Sequence, residues 1–268
     1  MRVIGAIAIN VFRESVRDKV LYNLVLFAVL LMASSYLIGQ LTAGQDAKII
    51  KDLGLSATSL FGLFIAVFIG IGLVSKEVER RSIYSLLAKP ITRYQLVLGK
   101  YCGLTLTLAV NIVVMALALY AALATMMWRL PPEARQLWET APLDPAMLKA
   151  VLLIYVELML VTALALFFST FSSPMLSAAL TIGLYIAGHF SGDLRNFQQV
   201  VDSPAAARFA RGVYWVLPNL AQFDVKSEVV HGLRVPFSYM AMTIAYAAVY
   251  IVMLLAVSGL VFSRRDFK

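Results

Sequence analysis

Five stretches of this chain run on with almost no charge: Val20–Gln45, Leu53–Ser75, Tyr101–Trp128, Ala150–Gly192 and Val235–Ser263. About 20 apolar residues cross a bilayer as a helix, so each stretch is long enough to span one. The fourth is 43 residues broken only by Glu157, with Ser169-Thr170-Phe171-Ser172-Ser173-Pro174 near its middle. Proline cannot continue a helix beyond its first turn, so that stretch divides into two antiparallel spans. The expected fold is an all-α integral membrane protein, a single domain over 1–268 with six transmembrane helices. They centre on 22–39, 57–74, 101–127, 149–168, 174–190 and 239–262. A membrane barrel needs short alternating segments instead. Composition agrees: the chain is 61% hydrophobic and 14% charged, against about 45–50% and about 25% in soluble domains. A soluble enzyme, a disordered protein and a secreted disulfide scaffold are excluded, and the single Cys102 cannot form an internal disulfide.

Residues 1–19 carry Ile4, Ile7, Ala8, Val11, Phe12 and Val16 at helical spacing, with Arg2, Arg13, Glu14, Arg17 and Asp18 elsewhere. That pattern predicts an amphipathic helix lying in the membrane interface, apolar side down. Of the 23 Lys and Arg residues, 13 fall on the side shared by the N-terminus, the 75–100 loop and the C-terminus. That side is also the shorter in residues. The positive-inside tendency therefore places both termini in the cytoplasm, and it accounts for most of the +8 net charge without a nucleic-acid partner.

The 75–100 segment is dense in charge yet keeps Val78, Ile83, Leu86, Leu87, Leu96 and Leu98. Its spacing predicts two short helices separated by Pro90, with Thr92 capping the second. Such a hairpin suits either docking onto a partner or an amphipathic connector along the membrane.

The segment resembles the cytoplasmic coupling region of ABC transporter permeases of the type-2 exporter superfamily. The matching residues are Glu77 and Glu79, the pair Leu86-Leu87, then Pro90-Ile91-Thr92-Arg93, and Gly99-Lys100. The interfacial first helix, the six spans and the C-terminal Phe262-Ser263-Arg264-Arg265-Asp266-Phe267 resemble the same family. The resemblance implies a plasma (inner) membrane permease working as a homodimer, probed from the cytoplasm by two separate ABC ATPase subunits. Those subunits would dock at the coupling segment through Glu77, Glu79, Leu86, Leu87, Pro90, Thr92 and Arg93. The chain itself has no phosphate-binding G-x-x-x-x-G-K-[ST] loop, so ATP and Mg would sit on the partners, with no cofactor and no catalytic site here. Export is what the family implies about direction.

Glu157 is the only carboxylate inside a span. Ionisable groups at that depth are costly and face a bundle interior or cavity. It is either a polar point on a transport pathway, or a proton-sensitive switch, or a structural Glu hydrogen-bonded to Thr or Tyr on a neighbouring span. His189, with Asp193 four residues on, reads as a hydrogen-bonded helix-end residue; two His, one Cys and scattered Met make a poor metal site. Gly62-x-x-x-Ala66-x-x-x-Gly70 and Ala179-x-x-x-Gly183-x-x-x-Ala187 are small-residue stripes that allow close helix approach. The 128–147 and 191–238 loops are expected to cap the outer side, the latter with short helices. Trp128, Trp138 and Trp215 fall there as interface anchors.

Three other classes compete. An ion-coupled secondary carrier usually shows internal repeats and several intramembrane ionisable groups, and neither is present. A membrane-embedded enzyme needs a clustered His/Asp/Glu or Ser/His set at depth. An assembly or structural subunit without transport of its own is the remaining alternative.

Overall fold

The uncharged stretches fold as helices, and the helices run past them. The computed structural model describes residues 2–17, 19–39, 46–79, 92–129, 143–191 and 217–264, and the regular structure among them is helical throughout. In chain order the helices are α1 (Arg2–Val16), α2 (Lys19–Gly39), α3 (Asp46–Glu79), α4 (Arg93–Arg129), α5 (Met147–Ser169) and α6 (Pro174–His189). A 3-10 turn (Ala221–Phe223), a short α7 (Lys226–Val230) and a long α8 (Phe237–Arg264) follow.

Four helices are long and apolar enough to cross a membrane, over Ala47–Gly72, Tyr94–Arg129, Met147–Ser169 and Phe237–Phe262. Two shorter apolar stretches, Leu24–Ser34 of α2 and α6 itself, accompany them. The helices run well past the expected span centres of 57–74 and 101–127: α3 begins at Asp46 and α4 at Arg93. Charge does not end a helix. Lys48, Lys51 and Asp52 keep helical backbone, and Lys51 is fully buried. At 1.5 Å per residue, 34 and 37 residues extend about 51 and about 56 Å, well beyond a hydrocarbon layer of about 30 Å.

Caps decide where helices start. Thr92 opens α4 with a reciprocal pair: its Oγ1 accepts from the Gln95 N–H at 3.4 Å, and Gln95 Oε1 accepts from the Thr92 N–H at 3.2 Å. That is a capping box. Ser173 caps α6, accepting from the Leu176 N–H, and Pro174 takes the first helical turn, where its missing N–H costs nothing.

The centre of the bundle is α5, which packs against α3, α4, α6 and α8. It is apolar over most of its circumference, Glu157 and Thr162 apart, with Leu153, Leu158, Leu160, Val161, Ala163 and Ala165 all buried, while Leu148 and Leu152 near its start stay exposed. The stripe Gly62–Ala66–Gly70 is used inside the chain: a side chain at Gly62 would strike Leu158, and one at Gly70 would sit 3.1 Å from Ala165 Cβ. The stripe on α6 is not used so, since Gly183 has open space where a Cβ would go.

The expected first helix is present, but its apolar side meets protein. Ile7, Ala8 and Val11 seat on Gly99 and Gly103 of α4, where an added Cβ would come within 2.7 Å of Ile7 Cβ and Val11 Cβ. Two glycines on α4 therefore make the groove that holds α1. This defines a near end of the bundle, carrying α1 and the start of α4, and a far end, carrying Arg129, His189 and the start of α5.

Short helices occur in the expected 191–238 region: the 3-10 turn and α7, with residues 192–216 outside the described set. Together 217–235 form a cap over the far end. Phe223, Leu220 and Val229 are fully buried beneath it. The Leu220 N–H donates to Gly188 O at 3.0 Å, the Asn219 N–H donates to the Tyr246 hydroxyl at 2.8 Å, and Lys149 Nζ donates to Val235 O at 2.8 Å. The cap's own turn is closed at Gly232, whose φ is 72°. The Leu233 N–H reaches Glu228 O at 2.8 Å and the Gly232 N–H reaches Val229 O at 3.2 Å, which is a Schellman motif with glycine in the left-handed position.

Candidate functional site

At the near end, α3 ends at Glu79 and α4 begins at Arg93, and residues 80–91 between them lie outside the described residues. Glu77 and Glu79 occupy the last turns of α3, and Arg93 is the first residue of α4. Leu86, Leu87 and Pro90, and the side chains of Glu77, Glu79 and Arg93, lie outside the described residues. Thr92 is in the capping position that its sequence context called for. Lys100, two turns further on, is buried.

At the far end a line of polar side chains crosses three helices. Ser59 on α3 approaches the Tyr185 hydroxyl on α6, at 3.5 Å between oxygens. Tyr185 in turn lies against the Glu157 carboxylate on α5. Glu157 Oε1 stands 3.3 Å from His189 Nε2, and the Tyr185 and His189 rings pack with centroids 4.5 Å apart. His189 Nδ1 is 3.1 Å from Tyr185 O, one turn back along α6. Glu157 is 2% exposed, and although its Oε1 is within ion-pair distance of His189 it lacks a hydrogen bond of proper geometry. A buried carboxylate in a membrane bundle needs such company, because unpaired it costs several kcal/mol.

His189 is the outward face of this line. It borders an open cavity of about 510 Å³ whose walls include Asp52 and Ser56 of α3 and Asp224, Lys226 and Glu228 of the cap. Lys226 pairs with Asp224 at 3.5 Å. Glu157 stands behind the cavity wall rather than in it. Among the described residues no three His, Cys, Asp or Glu side chains converge as metal ligands would. A second cavity, of about 430 Å³, lies between α2 and α4 and is apolar apart from Thr125 and Arg129.

Glu157 thus has a tyrosine neighbour from an adjoining helix. It also has an imidazole partner, which the sequence reading missed. The signal was available: the division at Pro174 makes α5 and α6 antiparallel, and Glu157 and His189 both fall near the same end of that hairpin. His189 was paired instead with Asp193, which lies outside the described residues.

The chain matches the sequence profile of a family described as ABC-2 family transporter protein over residues 5–267. No curated protein matches it.

Proposed function

The chain belongs to the ABC-2 transporter family, and from that premise we propose that it couples ATP hydrolysis on separate subunits to export of a substrate. As a member of that family it is a multi-pass membrane permease subunit, and its family associates with an ABC ATPase. In the proposed assembly two copies of the chain form the pathway and two ATPase subunits grip the segments between α3 and α4. Both termini and that segment face the cytoplasm of a plasma membrane, and α2 and α6 complete six spans.

The observation that carries the reading is the length of α3 and α4. Both helices are far longer than a bilayer requires, and both end at the same segment, with α4 fixed at its start by the Thr92–Gln95 box. Two long helices flanking the charged 80–91 stretch of sequence suit a docking element better than a connector lying on the membrane. The exposed face of α6, with Leu176, Leu180, Ile186 and Phe190 around Gly183, suits contact with the second copy, because small residues let membrane helices approach closely. Glu157, behind the His189 wall, is the polar point of the route at its far end.

The test is charge reversal at the near end. In the reconstituted complex, Glu77→Lys with Glu79→Lys should leave the permease inserted and dimeric while ATP hydrolysis no longer drives transport. Full coupling in the double variant would exclude the docking role.

A further inference from the structure

We infer that Glu157 and His189 form a proton-binding site that clasps the far end of the bundle. The argument starts from the other ring nitrogen. His189 Nδ1 is 3.1 Å from Tyr185 O, and a carbonyl oxygen only accepts, so Nδ1 carries the hydrogen of that bond. In a neutral imidazole the second nitrogen then presents a lone pair. That nitrogen, Nε2, is the one 3.3 Å from Glu157 Oε1. A carboxylate oxygen and an imidazole lone pair repel at that separation. One proton between them turns repulsion into attraction, whether it sits on oxygen as a carboxylic acid or on nitrogen as an imidazolium, and a small turn of either side chain then aligns a charge-assisted hydrogen bond. The pair is neutral with the proton and carries one negative charge without it.

The surroundings give that proton a route and a consequence. The His189 side chain is 25% exposed and the Glu157 side chain 3% exposed, so the proton enters through His189 from the far-end cavity. The charged and titratable groups facing the pair are Asp52 from α3, Tyr185 from α6, and Asp224, Lys226 and Glu228 from the cap. Three carboxylates against one lysine leave the cavity net acidic, which favours an arriving proton. Gly188, next to His189, accepts the Leu220 N–H that holds the cap. Protonation therefore ties α6 to α5 at the point where the cap hangs, and loss of the proton releases it. Stability of the clasp is present at lower pH and lost as pH rises.

This deepens the role given to Glu157 above and rests on that reading only for its meaning in transport. Its test needs neither cargo nor ATPase, so the two fail separately. Hydrogen exchange of the intact permease in lipid nanodiscs is followed from mildly acidic to mildly alkaline pH, corrected for intrinsic exchange. The wild-type amides of 219–230, Leu220 above all, should lose protection about tenfold as pH rises. In Glu157→Gln the amide donates to Nε2 without titrating, so protection should stay high throughout. In His189→Phe it should be low throughout. A flat wild-type profile, a fall that survives in Glu157→Gln, or full protection in His189→Phe overturns the proposal, and the first two decide it even should His189→Phe not assemble.

Discussion

Tyr101 and Tyr155 hold α4 and α5 together by reaching across to each other's backbones. The Tyr101 hydroxyl donates to Met159 O at 3.3 Å, and the Tyr155 hydroxyl donates to Thr105 O at 3.2 Å. Each bond lies about one turn from the other, so the two helices cannot slide without breaking both. Replacing either Tyr by Phe keeps the ring and leaves a carbonyl that still has its intrahelical bond. Each substitution should therefore cost about 0.6 kcal/mol, read from detergent-titrated unfolding in mixed micelles. A loss above about 2 kcal/mol would point to disturbed ring packing instead.

Glycines at two surfaces make opposite predictions. A Cβ at Gly103 would stand 2.6 Å from the Ala8 carbonyl and 2.7 Å from Val11 Cβ, and backbone cannot yield as a flexible side chain can. Gly103→Ala should displace α1 at a cost of about 1–3 kcal/mol, seen as faster proteolysis within residues 2–16. Gly183→Ala meets nothing within 4 Å in its own chain and should leave the isolated fold unchanged. A selective loss of dimer in that variant would assign α6 to the contact between copies.

Thr92→Ala removes the hydroxyl that accepts from the Gln95 N–H, leaving only the bond from the backbone N–H of residue 92 to Gln95 Oε1, and should destabilise the first turn of α4 by about 1 kcal/mol. Thr92→Ser keeps the hydroxyl and should behave as wild type. Membrane insertion is the control, and substrate-stimulated ATPase activity in the reconstituted complex is the readout. Equal activity in the two variants would detach the cap from coupling.

Gly232 ends α7 with φ of 72°, a conformation costing an L side chain about 1 kcal/mol. Gly232→Ala should speed exchange of the Leu233 amide, whose partner is Glu228 O. Gly232→Asn should do so less, since asparagine tolerates that region better.

Much of the bundle was legible because lipid imposes simple rules. Pro174 inside an unbroken apolar run marked a helical turn, and Ser173 beside it supplied the cap. Thr92, just beyond Pro90, announced the start of α4, and its hydroxyl caps the Gln95 N–H there. What sequence could not supply was the behaviour of charge. Lys48, Lys51 and Asp52 looked like the water beyond a span, yet Lys51 is buried within α3, because long side chains on a continuing helix find protein partners. The N-terminal helix showed the correct face but not its neighbour: small residues at 99 and 103 are as consistent with lipid contact as with a docked helix. The pairing of Glu157 with His189 joins two side chains 32 positions apart across a hairpin; the turn at Pro174 puts them at the same end, but which faces of the two helices meet is set by packing.

The unbroken course of α3 from Asp46 to Glu79 joins two places that otherwise share nothing. Glu77 stands on the same rod as Asp52 and Ser59, with no proline among the described residues of that helix to absorb bending. Rotating a rod of about 51 Å by about five degrees about one tip swings the opposite tip by about 4 Å. In the proposed assembly, such a tilt imposed at the Glu79 tip would move Ser59, about 20 Å from the other end, by about 2 Å and stretch its 3.5 Å contact with Tyr185, with no relay of side chains to carry the stroke.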